Sequence, residues 1–359
     1  MVNGPYARAS VGPVKAELAL PPHVDLDRVG EVWRVDYEAR FREAAAWASE
    51  HDLEPATQDS PRVCLLLVDE QNTFCTPGFE LYVAGRSGTG ALEDSRRLCL
   101  FLYRNLGVIT QTVVTLDTHQ AFQIFHAPFL VDAEGRHPDP LTLVTPEDVA
   151  AGRWRVDLDV AQAIGLGGRA DDHLHAYVEA LAASGKYDLT IWPFHAMLGG
   201  IGHALVSAVE EALLFHAIAR RSQTRFEIKG VSPLTEHYSV LGPEVLHGAR
   251  GESLGERNDA LVDYLLGFDA VIVAGQAKSH CVAWTVEDLL EDPAAREQGI
   301  ASRLYLLEDC SSPVVVPGAV DYTDDADAAF ARFAEAGAHV VPSTEPIASW
   351  PGTAASLTQ

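Results

Sequence analysis

From Val63 onward, short apolar runs rich in β-branched residues alternate with longer segments of helical periodicity. The runs that predict strands are residues 63–69, 108–116, 189–192, 226–229, 270–274, 304–307 and 340–341. Helices are predicted between them, among others over residues 93–106, 173–184, 203–219, 258–266, 283–290 and 326–336. Because a parallel strand connection needs a crossover helix, this alternation predicts an α/β fold with three layers (α/β/α) and a mainly parallel, doubly wound sheet.

Five side chains that can carry chemistry lie where predicted strands end: Asp69, Asp117, His195, Lys229 and Cys281. Sheets of this kind place their sites at the carboxyl ends of the strands, so we expect these residues to share one pocket. A carboxylate, a lysine and a cysteine at separate strand ends suit nucleophilic acyl transfer. Asp117 and His119 add a pair of metal ligands, although such a pair alone also fits a solvated turn.

Cys281 lies in the segment VIVAGQAKSHCVAWTVEDLL, where an apolar run is followed by a turn at Gly275. A helical pattern opens at the cysteine, and the unpaired N–H groups of a helix start favour a thiolate. We therefore predict that Cys281 is a nucleophile. The other four cysteines are predicted to be inert, reduced thiols, since the total is odd and no CxxC spacing occurs; they are Cys64, Cys75, Cys99 and Cys310.

The formal net charge of the chain is -25 at pH 7. Nucleic acids and anionic membranes are bound by basic surfaces, so neither is expected as a partner. Hydrophobic residues make up 47% of the chain, which fits a globular enzyme, and no apolar run is long enough to span a bilayer. The opening segment MVNGPYARASVGPVK lacks the apolar centre of a signal peptide, so we expect a cytoplasmic protein.

Residues 1–60 are predicted to be an extension of a main domain that spans residues 61–345. The extension carries an amphipathic helix pattern with aromatic residues near one stripe: Trp33, Tyr37, Phe41 and Trp47. This helix either packs on its own domain or is an arm that clasps a neighbouring subunit. Residues 346–359 are expected to form a loose tail.

Residues 127–186 are rich in Pro, Gly and charge and are predicted to be an insertion. Thr145 and Asp148 have the spacing of a capping box, which predicts a helix start there. The segment is either a lid over the site or surface padding. As a lid, it offers three apolar side chains that could narrow the entrance: Phe129, Leu141 and Trp154.

Five motifs, in order, resemble those of the isochorismatase-like cysteine hydrolases, and most of all the nicotinamidases. They are VDEQNTFCTPG, TLDTH, WPFH, EIKG and GQAKSHCV, and the resemblance spans roughly residues 63–342. It implies the isochorismatase-like hydrolase fold and a catalytic set of Asp69 (acid and base), Lys229 and Cys281. It also implies a divalent metal site, zinc with iron or manganese as alternatives, formed by Asp117, His119 and His195; His126 and His203 are candidates for extra ligands.

The same resemblance implies the pocket around the nucleophile. The peptide between Gln276 and Ala277 would be cis, with the N–H groups of Ala277 and Cys281 as oxyanion donors. The substrate ring would lie beside Phe74, Trp192 and Tyr238, with His280 bordering the pocket. In nicotinamidases the ring nitrogen of the substrate binds the metal, which serves as an anchor.

The implied activity is hydrolysis of nicotinamide to nicotinate and ammonia through a thioester. The segments HAMLGGIGH and HQAFQIFHAP, and Lys278 and Ser279 in the last motif, depart from the usual nicotinamidase pattern. They keep open another substrate of the superfamily: a different amide, a hydrazide, a ureido compound or isochorismate. A catalytically silent scaffold is the remaining alternative. The expected partners are a small amide substrate and further copies of the chain in a homo-oligomer.

Overall fold

The computed structural model describes residues 17–352 of the chain. Its strands are β1 (Val63–Val68), β2 (Gln111–Asp117), β3 (Leu130–Val131), β4 (Leu143–Val144), β5 (Arg155–Val156), β6 (Leu189–Thr190), β7 (Arg225–Lys229), β8 (Ala270–Gly275), β9 (Leu304–Leu307), β10 (Val315–Val316), β11 (Val320–Asp321) and β12 (His339–Val341). Six of them form the central sheet in the order β12-β9-β8-β1-β2-β7. All neighbours in this sheet are parallel.

Helices cover both faces of the sheet. They are α1 (Tyr37–Glu50), α2 (Asn72–Cys75), α3 (Gly90–Arg104), α4 (Pro146–Ala150), α5 (Leu158–Ala163), α6 (Ala170–Ser184), α7 (Ser207–Arg220), α8 (Asp259–Leu266), α9 (Ala283–Glu291), α10 (Pro293–Glu297) and α11 (Thr323–Glu335). None of these helices, within residues 17–352, is both long and apolar enough for a membrane span.

The side chains of β1 alternate between two hydrophobic cores. Leu65 and Leu67 pack in the core that contains residues of α3 and α7. Leu66 and Val68 pack in the opposite core, with residues of α8, α9 and α11. Such a strand, buried on both faces, reads as a continuous apolar run in the sequence. The predicted three-layer, doubly wound α/β fold is therefore confirmed.

The predicted strand over residues 189–192 is not part of the central sheet. Only Leu189 and Thr190 form a strand, β6, which pairs antiparallel with β4 of the insertion. The next residue, Ile191, also exchanges backbone hydrogen bonds with this segment, donating to the carbonyl of Thr142 at 2.9 Å. A short apolar run has the same pattern wherever its backbone finds a partner, so the sequence could not show that this pairing is local.

The described part of the extension packs on its own domain. The hydroxyl of Ser207, at the start of α7, accepts a hydrogen bond from the N–H of Trp33 and donates to its carbonyl, both at 2.9 Å. Arg40 of α1 pairs with Glu211 of α7 at 3.2 Å. Only part of the predicted aromatic stripe is covered, since Tyr37 and Phe41 remain 50% and 55% exposed. Contact of this helix with a second subunit stays a prediction.

The insertion folds onto the domain as short strands and helices followed by one long helix, α6. Its helix α4 begins with the predicted capping box, in which the side chains of Thr145 and Asp148 each bond the other's backbone N–H. Phe129 is fully buried in the core, and Leu141 and Trp154 pack against it from partly buried positions. These three side chains therefore serve the hydrophobic core.

The expected loose tail is ordered as far as it is described. Trp350 is 3% exposed and its ring stacks on those of Phe101 and Tyr305, at centroid distances of 5.8 and 5.5 Å. The prediction of a loose segment was wrong for this part, since one large aromatic side chain buries enough surface to fix it. Residues 353–359 of the tail and residues 1–16 of the extension lie outside the described residues.

Candidate active site

Four adjacent strands of the sheet bring four of the predicted residues to one edge. Asp69 follows β1, Asp117 ends β2 and Lys229 ends β7. Cys281 lies six residues beyond the end of β8, within the turn that follows it. Because β8, β1, β2 and β7 are neighbours in that order, the side chains meet at the carboxyl edge of the sheet.

The ammonium group of Lys229 lies at the centre of this cluster. Its Nζ is 2.9 Å from Asp69 Oδ2 and 3.1 Å from Asp117 Oδ1. It also donates to the Sγ of Cys281 at 3.4 Å and to the carbonyl of His237 at 3.0 Å. Lys229 is 1% exposed, and Asp69 is completely buried. The two carboxylates raise the pKa of Lys229 well above its ordinary value, although burial acts in the opposite direction. The lysine is therefore a fixed positive charge.

Asp69 is held by a hydroxyl group as well as by the lysine. Thr115 Oγ1, on β2, donates to Asp69 Oδ1 at 2.6 Å and accepts from the N–H of Asp69 at 3.0 Å. Burial raises the pKa of Asp69, while the charge of Lys229 acts to lower it. A carboxylate with a raised pKa, next to a thiol, is suited to take up a proton and give it back.

Cys281 does not begin an α-helix, and the predicted helix start was wrong. It lies inside a π-helical turn, Lys278–Val282, and α9 begins two residues later. Burial raises the pKa of its thiol well above the ordinary value, and the charge of Lys229 only partly opposes this. Burial, which raises the pKa of the thiol, therefore has a larger effect than the start of a helix, which would lower it. The resting group is a thiol that needs a base, and Asp69 is the neighbouring candidate.

Asp117, His119 and His195 form a compact group that could hold a metal ion, with one ligand atom of each within 4.8 Å of the others. His119 Nδ1 faces the carbonyl of Gly230 at 3.1 Å, and His195 Nδ1 faces that of Pro193 at 2.8 Å. A carbonyl only accepts, so the Nδ1 of His195 carries the proton of its neutral ring and the Nε2 of His195 presents a lone pair.

The Nε2 atoms of both rings face the same carboxylate. His119 Nε2 is 2.8 Å and His195 Nε2 is 3.7 Å from Asp117 Oδ2. Burial lowers the pKa of His195 well below its ordinary value, so this ring is neutral. One carboxylate oxygen and two imidazole nitrogens, all buried and close together, fit a divalent cation with one oxygen and two nitrogen ligands. Zinc, iron and manganese all suit this set.

Two sets of hydrogen bonds to the backbone hold the segments that carry these ligands. Gln71, from the first motif, accepts from the N–H of Asp117 at 2.8 Å and donates to its carbonyl at 2.9 Å. The N–H of His119 donates to the carbonyl of Ala196 at 3.0 Å, which draws the segment of His195 against the end of β2. His195 thus joins the site from outside the central sheet.

The two candidates for extra ligands differ. His126 is buried, its ring centroid lies 5.9 Å from that of His119, and its Nε2 has no hydrogen-bond partner within residues 17–352. Its Nδ1 faces the carbonyl of Gln120 at 3.2 Å, which leaves a lone pair on Nε2. His203 instead shares a hydrogen bond with Thr118 Oγ1 at 2.8 Å through its Nε2. Of the two, His126 has the free ligand atom.

A cavity lies beside the nucleophile and the ligand group. It is lined by Phe74, Leu81, Val83, Asp117, Trp192, His195, Tyr238, Ala277, His280, Cys281 and Val314. All four residues predicted to contact the substrate are among them. Leu81, Val83 and Val314 were not predicted, since nothing in an aliphatic residue of a loop marks it as part of a pocket. None of the lining residues belongs to the insertion, so its role as a lid stays a prediction.

The centre of a water molecule could occupy about 30 Å³ of this cavity, so the cavity is narrow. The aromatic wall is held by a buried acid that the sequence did not reveal: Trp192 Nε1 donates to Glu236 Oε1 at 2.7 Å and to the hydroxyl of Tyr238 at 3.1 Å. Burial raises the pKa of Glu236 to about 8.

The turn between β8 and the nucleophile approaches β1 closely. Gly275 has a φ of +113°, and a Cβ at this position would lie 2.0 Å from the carbonyl oxygen of Val68. Only glycine fits there. The next peptide, between Gln276 and Ala277, is cis. Ala277 lines the cavity together with Cys281.

No protein-family model and no curated protein matches the chain. Among solved structures it is similar to a nicotinamidase/pyrazinamidase of Acinetobacter baumanii, with 19% identity and a TM-score of 0.47 over 80% of this chain and 99% of that one. It is also similar to a pyrazinamidase of Pyrococcus horikoshii in complex with zinc (17%, 0.41, 79% and 99%) and to an N-carbamoylsarcosine amidase of Thermoplasma acidophilum (15%, 0.39, 80% and 99%). These names agree with the resemblance seen in the motifs. At these TM-scores the likeness is no evidence of activity, which has to be inferred from the side chains of the site.

Proposed function

We propose that the protein is a cysteine-dependent amidohydrolase that cleaves a small carboxamide, with nicotinamide as the first candidate. The observation that carries the proposal is the position of Lys229 Nζ, within 3.4 Å of the thiol of Cys281 and 2.9 Å of the carboxylate of Asp69. A thiol, a proton acceptor and a fixed positive charge at the wall of one cavity are the parts that acyl transfer requires.

In the first half of the reaction, Asp69 takes the thiol proton as the sulfur of Cys281 attacks the carbonyl carbon. The carbonyl electrons move to oxygen, and the N–H groups of Ala277 and Cys281 would stabilise the oxyanion. When the oxyanion collapses, the C–N bond breaks and Asp69 gives the proton to the departing nitrogen. Ammonia leaves, and the acyl group remains on sulfur as a thioester.

In the second half, the Asp69 carboxylate takes a proton from water as the water oxygen attacks the thioester. The C–S bond then breaks, the proton returns to sulfur and the acid product departs. Lys229 stays protonated throughout and lowers the cost of negative charge on Asp69 and on the sulfur. The site returns to its starting state with one water consumed and one ammonia released.

A metal ion, if bound, would be held by Asp117, His119 and His195. It would supply a Lewis-acid position at which a lone pair of the substrate, such as a ring nitrogen, could be anchored. The residues that make and break bonds are Asp69 and Cys281, so a bound ion would serve to orient the substrate.

The proposal is tested by measuring ammonia release from a panel of carboxamides with the purified protein, with and without a chelator. Nicotinamide is expected to be hydrolysed, and chelation is expected to weaken its binding more than it slows turnover. Cys281→Ala is the matched control for contaminating activity. Absence of ammonia from every carboxamide would contradict an amidohydrolase.

The small cavity favours a second candidate, a hydrolase of small acyclic amides or ureido compounds. A narrow cavity accommodates such molecules with less movement of the lining than a pyridine ring needs. The same panel separates the two, since the acyclic compounds would then be cleaved and nicotinamide would not. A silent scaffold would show no cleavage, and its Cys281 would not react with iodoacetamide faster than the other buried cysteines.

A further inference from the structure

The turn that carries Ala277 is fixed through the side chain of Gln276. This side chain is completely buried. Its Nε2 donates to Asp94 Oδ2 at 3.0 Å, and its Oε1 accepts from the N–H of Ser312 at 3.2 Å. The backbone N–H of Gln276 donates to the carbonyl of Val68 at 2.8 Å. Both ends of the side-chain amide of Gln276, and its backbone N–H, are therefore hydrogen-bonded. This fixes the residue that directly precedes Ala277.

The residue after Ala277 is fixed to the same neighbouring segment. The N–H of Lys278 donates to the carbonyl of Ser312 at 2.8 Å. Ala277 thus lies between two residues that are both bonded to Ser312. Its own N–H has no acceptor within residues 17–352, although Ala277 is 5% exposed and lines the cavity. A buried, unpaired donor at a cavity wall is free to bond an oxygen of a ligand.

Asp94 is itself a fixed partner. It lies on α3, is 2% exposed, and its Oδ1 accepts from Arg97 NH2 at 2.8 Å. Arg97 also donates through Nε to the carbonyl of Asp309. One oxygen of the Asp94 carboxylate accepts from the guanidinium group of Arg97, and the other accepts from the amide group of Gln276. An aliphatic side chain at position 276 would fill the same space but would bond neither Asp94 nor Ser312.

We propose that Asp94 and Gln276 are positioning residues, which aim the N–H of Ala277 at the oxygen that becomes negative during acyl transfer. This inference rests on the proposed function and goes beyond it, because it gives two residues remote from the substrate a role in one step. Oxyanion donors act only when they are aligned with the position that the charge will occupy. A hydrogen-bonded clamp behind the turn provides that alignment.

The test uses Gln276→Met, which keeps the length of the side chain and removes both of its hydrogen bonds. Loss of a whole oxyanion donor costs about 10²- to 10³-fold in kcat, and a misaligned donor should cost somewhat less. We expect kcat to fall by about 10- to 100-fold with KM within about two-fold. Asp94→Asn should act in the same direction, since an asparagine can satisfy Arg97 or Gln276 but not both. The double variant should be no slower than Gln276→Met, because the hydrogen bond between Asp94 and Gln276 is already absent in that single variant.

Two probes separate alignment of the donor from general damage. Iodoacetamide reacts with the Cys281 sulfur by displacement at carbon, without forming an oxyanion, so its rate should stay within about two-fold in the variants. A carboxaldehyde analogue of the substrate adds the thiol across its C=O bond, with the thiol proton going to oxygen, and its affinity should fall in parallel with kcat. Ser207→Ala is the matched control: it removes two partly buried hydrogen bonds, to the backbone of Trp33, and should leave both probes unchanged.

Equal losses in alkylation and turnover would overturn the proposal, as would an unchanged kcat in Gln276→Met. If Gln276→Met does not fold, Asp94→Asn gives the same comparison with one hydrogen bond changed. If the wild-type protein releases no ammonia from any amide, the proposed function fails. The aldehyde affinity and the alkylation rate then still decide whether the clamp aligns a donor, because neither probe depends on turnover.

Discussion

At the scale of single residues, the charges of the site explain its arrangement. Asp69 and Asp117 are buried carboxylates that share the single ammonium group of Lys229. When both carboxylates are ionised, these three side chains carry an excess of one negative charge away from water. A buried charge without compensation is costly. A divalent cation bound by Asp117, His119 and His195 would supply that compensation, which is a second reason to expect a metal there.

The first prediction concerns the nucleophile. Cys281→Ala should lower turnover by roughly 10⁴-fold or more, because no thioester can form. Thermal stability and metal content should stay close to the wild-type values, since the change removes only one sulfur atom from a cavity wall. Steady-state ammonia release, a melting curve and elemental analysis check these outcomes. Appreciable hydrolysis by the alanine variant would rule out covalent catalysis by Cys281.

The second prediction concerns the proton carried by Asp69. Catalysis needs the carboxylate, and burial raises the pKa of Asp69, so kcat/KM should fall as the pH decreases through a value above 3.8, the ordinary aspartate pKa. The hydroxyl of Thr115 bonds the charged form and so lowers this pKa. In Thr115→Val the acid limb should therefore move to higher pH, by about one unit. A pH profile whose acid limb does not move, or moves down, would contradict this role.

The third prediction concerns the metal. His119→Ala and His195→Ala should each reduce the bound divalent ion from about one equivalent per chain to less than half. Elemental analysis after gel filtration measures this without reference to activity. His137→Ala is the control, because His137 is exposed and lies outside the ligand group. A full equivalent of metal in the two ligand variants would show that the ion binds elsewhere.

At the scale of elements, the sequence predicted what depends on long, buried strands. β1 and β8 are continuous apolar runs ending in Asp69 and in the turn before Cys281, and both were predicted with these ends. The apolar pattern of the sequence did not predict strand partners and strand ends that depend on tertiary contacts. Residues 189–192 pair with the insertion, and β2 begins at Gln111 because the N–H groups of Val108 and Ile109 donate to Asn105, closing α3.

The fourth prediction concerns the hairpin of β10 and β11. Val314, directly before β10, lines the cavity and is 6% exposed. In Val314→Ala the cavity gains the space of two methyl groups. The ratio of kcat/KM for ring-substituted over unsubstituted carboxamides should rise by about 10-fold. Val320→Ala, on the other strand of the same hairpin and outside the cavity lining, is the matched control. An unchanged ratio in Val314→Ala would show that other side chains limit the space.

At the scale of the whole molecule, the insertion supports the site without lining it. β4 of the insertion pairs with β6, and β6 leads directly to Trp192 in the cavity wall and to His195. Buried side chains of the insertion belong to the same hydrophobic core as residues of α3 and α7; they include Val144, Val149, Val156 and Val160. Cys281, in contrast, is carried by β8 and the π-helical turn. Loss of the insertion should therefore disturb one wall of the pocket and leave the nucleophile in place.

The fifth prediction follows from this division. Replacing residues 132–168 with a short Gly/Ser linker exposes a face of the core that these valines cover, at a cost of about 1.5 kcal/mol or more for each buried side chain. The melting temperature should fall by about 10 °C or more. The KM should rise and metal binding should weaken, because β6, which precedes Trp192 and His195, loses its partner strand β4. The alkylation rate of Cys281 should stay within about two-fold.

The control replaces only the exposed tip, residues 133–136, with Gly/Ser of equal length and should change none of these values. If the shortened protein melts and turns over like the wild type, the insertion is surface padding, and both the support argued here and a lid are excluded.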